Sequence, residues 1–145
     1  MSHWAWLEQA VAEAIAQKRI GSPVSLRAFF HLSADHGVLL ETLGEALTAA
    51  GGWFRSPAVR VYALGGVRAG EITAMVEYAG GETALVSVAT LRDPAPWADV
   101  LLIGNRGTLR YQDHPEPGPG ARADRKLLAA VERSLAQAAV VEVER

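Results

Sequence analysis

Trp4, Leu7, Val11, Ala14 and Ile15 recur at three- and four-residue steps, with Glu8, Glu13 and Gln17 left between them. That period predicts a helix over 3–19. In "AIAQKRIGSPVSLRAFF" the pattern then changes. Gly21 stands where a helix C-terminus favours a left-handed residue, and Pro23 bars further helix. Beyond it Val24, Leu26, Ala28 and Phe30 alternate with Ser25, Arg27, Phe29 and His31, which is the period of a strand. Ser33 and Asp35 are candidate caps for a second helix over 38–50. Its buried stripe is Leu39, Leu43, Leu47 and Ala50, and Gly51-Gly52 is expected to stop it.

Period two takes over after that. Val59, Val61 and Ala63 alternate with Arg60, Tyr62 and Leu64. Ile72, Ala74, Val76 and Tyr78 alternate with Thr73, Met75 and Glu77, and after a Gly80-Gly81 hairpin Ala84, Val86 and Val88 alternate with Thr83, Leu85 and Ser87. "DVLLIGNRGTLRY" reads as a further hairpin turning at Asn105-Arg106, and "QDHPEPGPGARA" as a loop too rich in proline and glycine for a ladder. A last helix over 124–137 buries Leu127, Leu128, Val131 and Leu135, and "VVEVER" closes the chain as an edge strand. The expected fold class is α+β: one mostly antiparallel sheet with helices packed on one face, forming a single domain over 1–145.

Such a two-layer domain should present a wet outer sheet face. Leu64, Met75, Leu85, Leu101 and Ile103 nevertheless fall opposite the helix layer, and a continuous apolar face marks an association surface. A homodimer through this outer face is the expected consequence.

Composition narrows the function. Half of the 145 residues are hydrophobic and the formal net charge is −2, which gives no global attraction to nucleic acid or to an anionic membrane. With no cysteine, disulfides, thiolate metal sites and a cysteine nucleophile are excluded. No apolar run approaches the ~20 residues of a membrane span. The N-terminus lacks the basic start and long apolar stretch of a signal peptide, so a cytoplasmic location is the default. The glycines of "GGVRAG" lie between strands, and "GPGARA" has no strand before it. Neither offers a helix N-terminus to a pyrophosphate, and no cofactor is expected. His31, Asp35 and His36, with Glu41 or Glu45, are a conceivable nitrogen–oxygen metal set, but capping and surface exposure account for the same residues and no metal is expected.

Several segments, taken in order, resemble the C-terminal domain of the glucose–fructose oxidoreductase/inositol dehydrogenase (Gfo/Idh/MocA) family of NAD(P)-dependent enzymes. They are "AIAQKRIGSPVSLRAFF", "HGVLLETLGEALTAAGG", "ITAMVEYAGGETALVSVA", "VLLIGNRGTLRY" and "LLAAVERSLAQAAVVEV". The resemblance implies a substrate-binding and oligomerisation domain without its dinucleotide-binding partner domain. It also implies a catalytic His and an Asp on the second helix, where this chain has Glu45 and Thr48. The family's Glu-Lys-Pro segment is absent as well, so hydride transfer by this chain alone is not expected and no catalytic residue is assigned. The substrate-facing candidates are Glu45, Thr48, Glu41 and His31, for a small polar ligand of polyol, sugar or acid type. A separate dinucleotide-binding subunit is a possible partner. The alternative is a non-catalytic structural dimer with no small-molecule ligand, and a weaker one is a non-redox enzyme using Glu45 or a histidine.

Overall fold

A computed structural model describes residues 5–32, 39–90, 97–113 and 122–145. Within them the order is α1 (Ala5–Ala16), β1 (Pro23–Leu32), α2 (Leu39–Phe54), β2 (Ala58–Gly66), β3 (Glu71–Tyr78), β4 (Thr83–Thr90), β5 (Trp97–Gly104), β6 (Thr108–Asp113), α3 (Arg125–Gln137) and β7 (Val141–Glu142). The strands form one sheet in the spatial order β6-β5-β1-β4-β3-β2-β7. β1 runs parallel to β4, and every other neighbouring pair is antiparallel. The α+β class is the one expected. The finding beyond it is that β1 inserts between the β2–β3–β4 meander and the β5–β6 hairpin.

The helices share one face of the sheet. Leu26, Ala28 and Phe30 of β1, Ile72, Ala74 and Val76 of β3, and Ala84, Val86 and Val88 of β4 are buried beneath them. Every second residue of each strand thus supplies the core, which is what alternation in the sequence demands. Leu39, Leu43 and Leu47 of α2 and Leu127 and Val131 of α3 close it from above. Val24, read with that apolar set, is exposed, because the β1–β5 register shifts between Pro23 and Ser25.

Two helix ends differ from the expectation. α1 stops at Ala16, and its left-handed residue is Lys18 (φ 60°), whose N–H donates to the Ile15 carbonyl at 2.9 Å. Gly21 is also left-handed (φ 73°), but it serves the joint that follows. A Cβ there would run into Asn105 Oδ1, which accepts from the Ser22 N–H at 2.9 Å. The Arg106 N–H donates to the Ile20 carbonyl at 2.9 Å and the Asn105 N–H to the Ser22 carbonyl at 3.0 Å. The turn between β5 and β6 therefore clasps the entry to β1, and two glycine-bearing motifs more than 80 residues apart are one structural unit.

α2 does not stop at Gly51-Gly52 but continues to Phe54, where Arg55 turns left-handed (φ 54°). Each glycine costs a helix about 1 kcal/mol. Here Gly51 is needed for closeness, since the Ser56 carbonyl and the Tyr78 ring both lie 3.3 Å from where its Cβ would stand. Phe54 is buried edge-on against Tyr78, with ring centroids 5.0 Å apart, and that burial outweighs the propensity cost. α3 begins as its sequence predicts, with Asp124 accepting from the N–H groups of Lys126 (2.9 Å) and Leu127 (3.4 Å). Leu135, expected in the core, is half-buried.

Candidate functional site

The substrate-facing candidates are distributed over both faces of the sheet. On α2, Glu41 accepts from Arg125 of α3 at 3.3 Å on the surface. The Thr48 hydroxyl donates to the Gly44 carbonyl at 2.7 Å and accepts from the Asp124 N–H at 2.9 Å. Thr48 is thereby committed to tying the cap of α3 onto α2. Glu45 borders a narrow apolar cleft of about 20 Å³ between α1, α2 and the sheet, with Glu8 beside it and Leu26, Phe30, Trp53 and Val100 among its walls. That space suits a water or two rather than a polyol. His31 lies behind the sheet, tilted at 47° to Phe29 with ring centroids 4.5 Å apart and edge-on to Trp97 at 5.2 Å. Desolvation holds its pKa below the ordinary histidine value. Asp35 and His36 of the conceivable metal set lie outside the described residues. Among the described residues no three His, Cys, Asp or Glu side chains stand together as metal ligands.

The other face of the sheet is where chemistry remains open. Strand register lays Arg110, Leu101, Arg27, Leu85, Met75 and Tyr62 in one row across β6, β5, β1, β4, β3 and β2. The next row holds Gln112, Asp99, Phe29, Ser87, Thr73 and Leu64. Trp97, His31, Ala89 and Glu71 lie beyond it, and Ile103, Ser25, Thr83, Glu77 and Arg60 on the near side. All five apolar residues expected on this face are there. Leu64 and Met75 are each 50% exposed and Leu85 is 38% exposed, while Leu101 and Ile103 are half-buried. Phe29 and Tyr62, each 36% exposed, join them. The sequence alternation carries that signal too, since Phe29 shares its parity with Arg27.

Polar groups on this face are mostly paired within it. Arg110 grips Asp99 through two nitrogens, at 3.0 and 3.2 Å, and Gln112 adds a third hydrogen bond at 3.2 Å. The Arg110 hydrogen bond lowers the Asp99 pKa, and Gln112 adds to the effect. Arg60 and Glu77 meet at 2.6 Å. The hydroxyls of Thr73 and Ser87 share a hydrogen bond at 2.8 Å, and those of Ser25 and Thr83 one at 3.3 Å. Arg27 and Glu71 stay exposed, and among the described residues neither makes an ion pair. Arg27 stands at a hollow of about 350 Å³ whose walls include Phe29, Leu85 and Leu101.

No protein-family model and no curated protein matches this sequence. Solved structures do match. Myo-inositol 2-dehydrogenase from Lactobacillus plantarum superimposes with a TM-score of 0.74 at 10% identity, over 94% of this chain and 61% of that one. Scyllo-inositol dehydrogenase from Lactobacillus casei, solved with NAD(H) and scyllo-inositol, gives 0.70 at 12% identity, over 94% and 61%. The WlbA dehydrogenase from Bordetella pertussis, in complex with NADH and UDP-GlcNAcA, gives 0.66 at 16% identity, over 94% and 60%. The chain spans about three fifths of the length of these enzymes. Its fold is therefore the one that inositol dehydrogenases of the Gfo/Idh/MocA type carry over that part of their length, consistent with their C-terminal domain.

Proposed function

We propose that this chain is an oligomerisation domain of the sugar- and polyol-dehydrogenase type, assembling as a homodimer through the outer face of its sheet and not catalysing hydride transfer by itself. The observation that carries this reading is the exposed row of Leu85, Met75 and Tyr62 with Phe29 and Leu64 beside it. Six strands at ~4.8 Å and four side-chain rows at ~6.7 Å span roughly 29 by 27 Å, close to the ~800 Å² per partner of a standard interface. Burying that face contributes ~25 cal/mol per Å² of the apolar area it removes from water, before the costs of association and of desolvating its charged groups. Light scattering on the eluting protein should give twice the chain mass, and Leu85→Asp should give one chain mass with an unchanged far-UV spectrum. A wild-type chain that elutes as a monomer at every concentration rules the reading out.

A second reading adds a small polar ligand on the open surface of α2, outside the narrow cleft that Glu45 borders, with Glu45 as its contact. Its support is the position of Glu45 beside Glu8 and the scyllo-inositol in the Lactobacillus casei enzyme. Inositols and sugar acids should then raise the melting temperature, and Glu45→Gln should remove the rise. A separate dinucleotide-binding subunit belongs to the same reading, since the Lactobacillus casei enzyme was solved with NAD(H) as well as scyllo-inositol. A cytoplasmic location is part of it too.

A further inference from the structure

The face that the dimer reading covers contains two charges left over from its own pairing, and they are opposite in sign. Arg60 has Glu77 and Arg110 has Asp99, while Arg27 and Glu71 have no such partner among the described residues. They cannot serve one another within a chain. Glu71 lies two strands from Arg27 and four residues further along, roughly 16 Å away by strand spacing. Arg27 shares its hollow with Asp99 and Arg110 as well as with Leu85, Leu101 and Phe29, and Asp99 is already held by Arg110 and Gln112, so under a second sheet Arg27 needs an acceptor of its own.

The register supplies a solution. Arg27 faces Leu85, and the next outward residue of β4 is Ser87. Ser87 faces Thr73, and the next outward residue of β3 beyond Thr73 is Glu71. Ser87 is thus the midpoint of the line from Arg27 to Glu71. A two-fold axis lying between two such sheets, passing over Ser87 and perpendicular to that line, exchanges the two positions. The same operation sets Met75 against the corner held by Tyr62 and Leu64 in the facing copy, apolar against apolar. We infer that the second copy of this chain docks on the outer sheet face in the register that places Arg27 of each subunit on Glu71 of the other. The contact is made twice, as an isologous interface requires, and it selects one register from the many that a flat apolar face allows.

This inference rests on the sheet-face dimer proposed above, and the test separates the two. The full chain and its Arg27→Glu, Glu71→Arg and Arg27→Glu/Glu71→Arg variants are compared by sedimentation velocity over a concentration series at 0.15 M salt. Each single reversal is expected to raise the dimer dissociation constant by about 30-fold or more, and the double reversal to return it to within roughly threefold of wild type. Arg68→Glu, in the turn before β3, should leave it unchanged. A monomeric wild type overturns the dimer and this register together. A dimeric wild type whose single variants match it, or whose double variant is no tighter than the singles, overturns the register and leaves the sheet-face dimer standing. If a reversed charge prevents folding, Arg27→Gln, Glu71→Gln and their double decide. The double should weaken the dimer no more than either single variant, and simple additivity overturns the pair.

Discussion

Replacing Ser134 by alanine removes a hydroxyl that closes the sheet where its ladder ends. β7 pairs with only Arg60 and Val61 of β2, so the backbone beyond them has no strand on that side. The Ala63 N–H turns instead to the Ser134 Oγ at 2.7 Å, and that hydroxyl donates onward to the Ala139 carbonyl at 2.6 Å. Ser134 is fully buried and Ala63 almost so, and water does not reach the orphaned N–H. A buried donor without an acceptor costs about 1–3 kcal/mol. The Ala139 carbonyl loses less, because Ala139 is half-buried and solvent takes over part of the bond. Together the loss is about 2–3 kcal/mol, which for a chain of this size lowers the melting temperature by roughly 6–12 °C. Urea denaturation measures the free energy, and hydrogen exchange of the Ala63 amide reports the specific bond. Ser134→Ala should speed that one amide far more than those of β3. A stability loss below about 0.5 kcal/mol with unchanged exchange at Ala63 refutes the capping role.

Gly21→Ala should destabilise by more than the ~1 kcal/mol of an ordinary left-handed glycine replacement, because the new methyl also displaces the Asn105 side chain from Ser22. Chemical denaturation of Gly21→Ala against Ser22→Ala checks it, and equal losses in the two refute the clasp. His31 titrates lower in the folded chain than in the unfolded one, so the unfolded state binds the extra proton as pH falls below about 6.5. Stability should therefore decline from neutral pH toward the folded pKa. His31→Gln should flatten that slope in denaturation curves taken at intervals from pH 7 downward.

Strand parity was the most legible feature of this molecule. Alternation needs no knowledge of pairing partners, so the buried set of β3 and β4 and the outward placing of Leu64, Met75 and Leu85 could be written from the chain alone. The place of β1 could not. Its neighbours β4 and β5 come some 60 and 70 residues later, and nothing local says that Arg27 stands between Leu85 and Leu101. The end of α2 failed for a related reason. Two glycines argue locally for a stop, while the case for continuing lies in Tyr78, a residue of β3. The clasp between Gly21 and Asn105 was visible only as two separate glycine patterns.

The candidate ligand set illustrates the same limit from the functional side. Glu45 and Thr48 stand together because the resemblance aligns them on one helix, and His31 ends the strand that precedes that helix. Parity alone separates His31 from that helix. It alternates with Phe30, whose side chain packs in the core beneath the helices, so its own ring must point to the opposite face. There it meets Phe29 and Trp97. Thr48, in turn, is occupied by the cap of α3 and Glu41 by Arg125, which leaves α2 largely engaged in holding the domain together. The outer sheet face has the reverse character. Its ion pairs are internal, its apolar row is open, and among the described residues Arg27 and Glu71 remain on it without an ion pair. In the proposed dimer the facing copy returns both charges and the apolar row at once, which a small polyol does not.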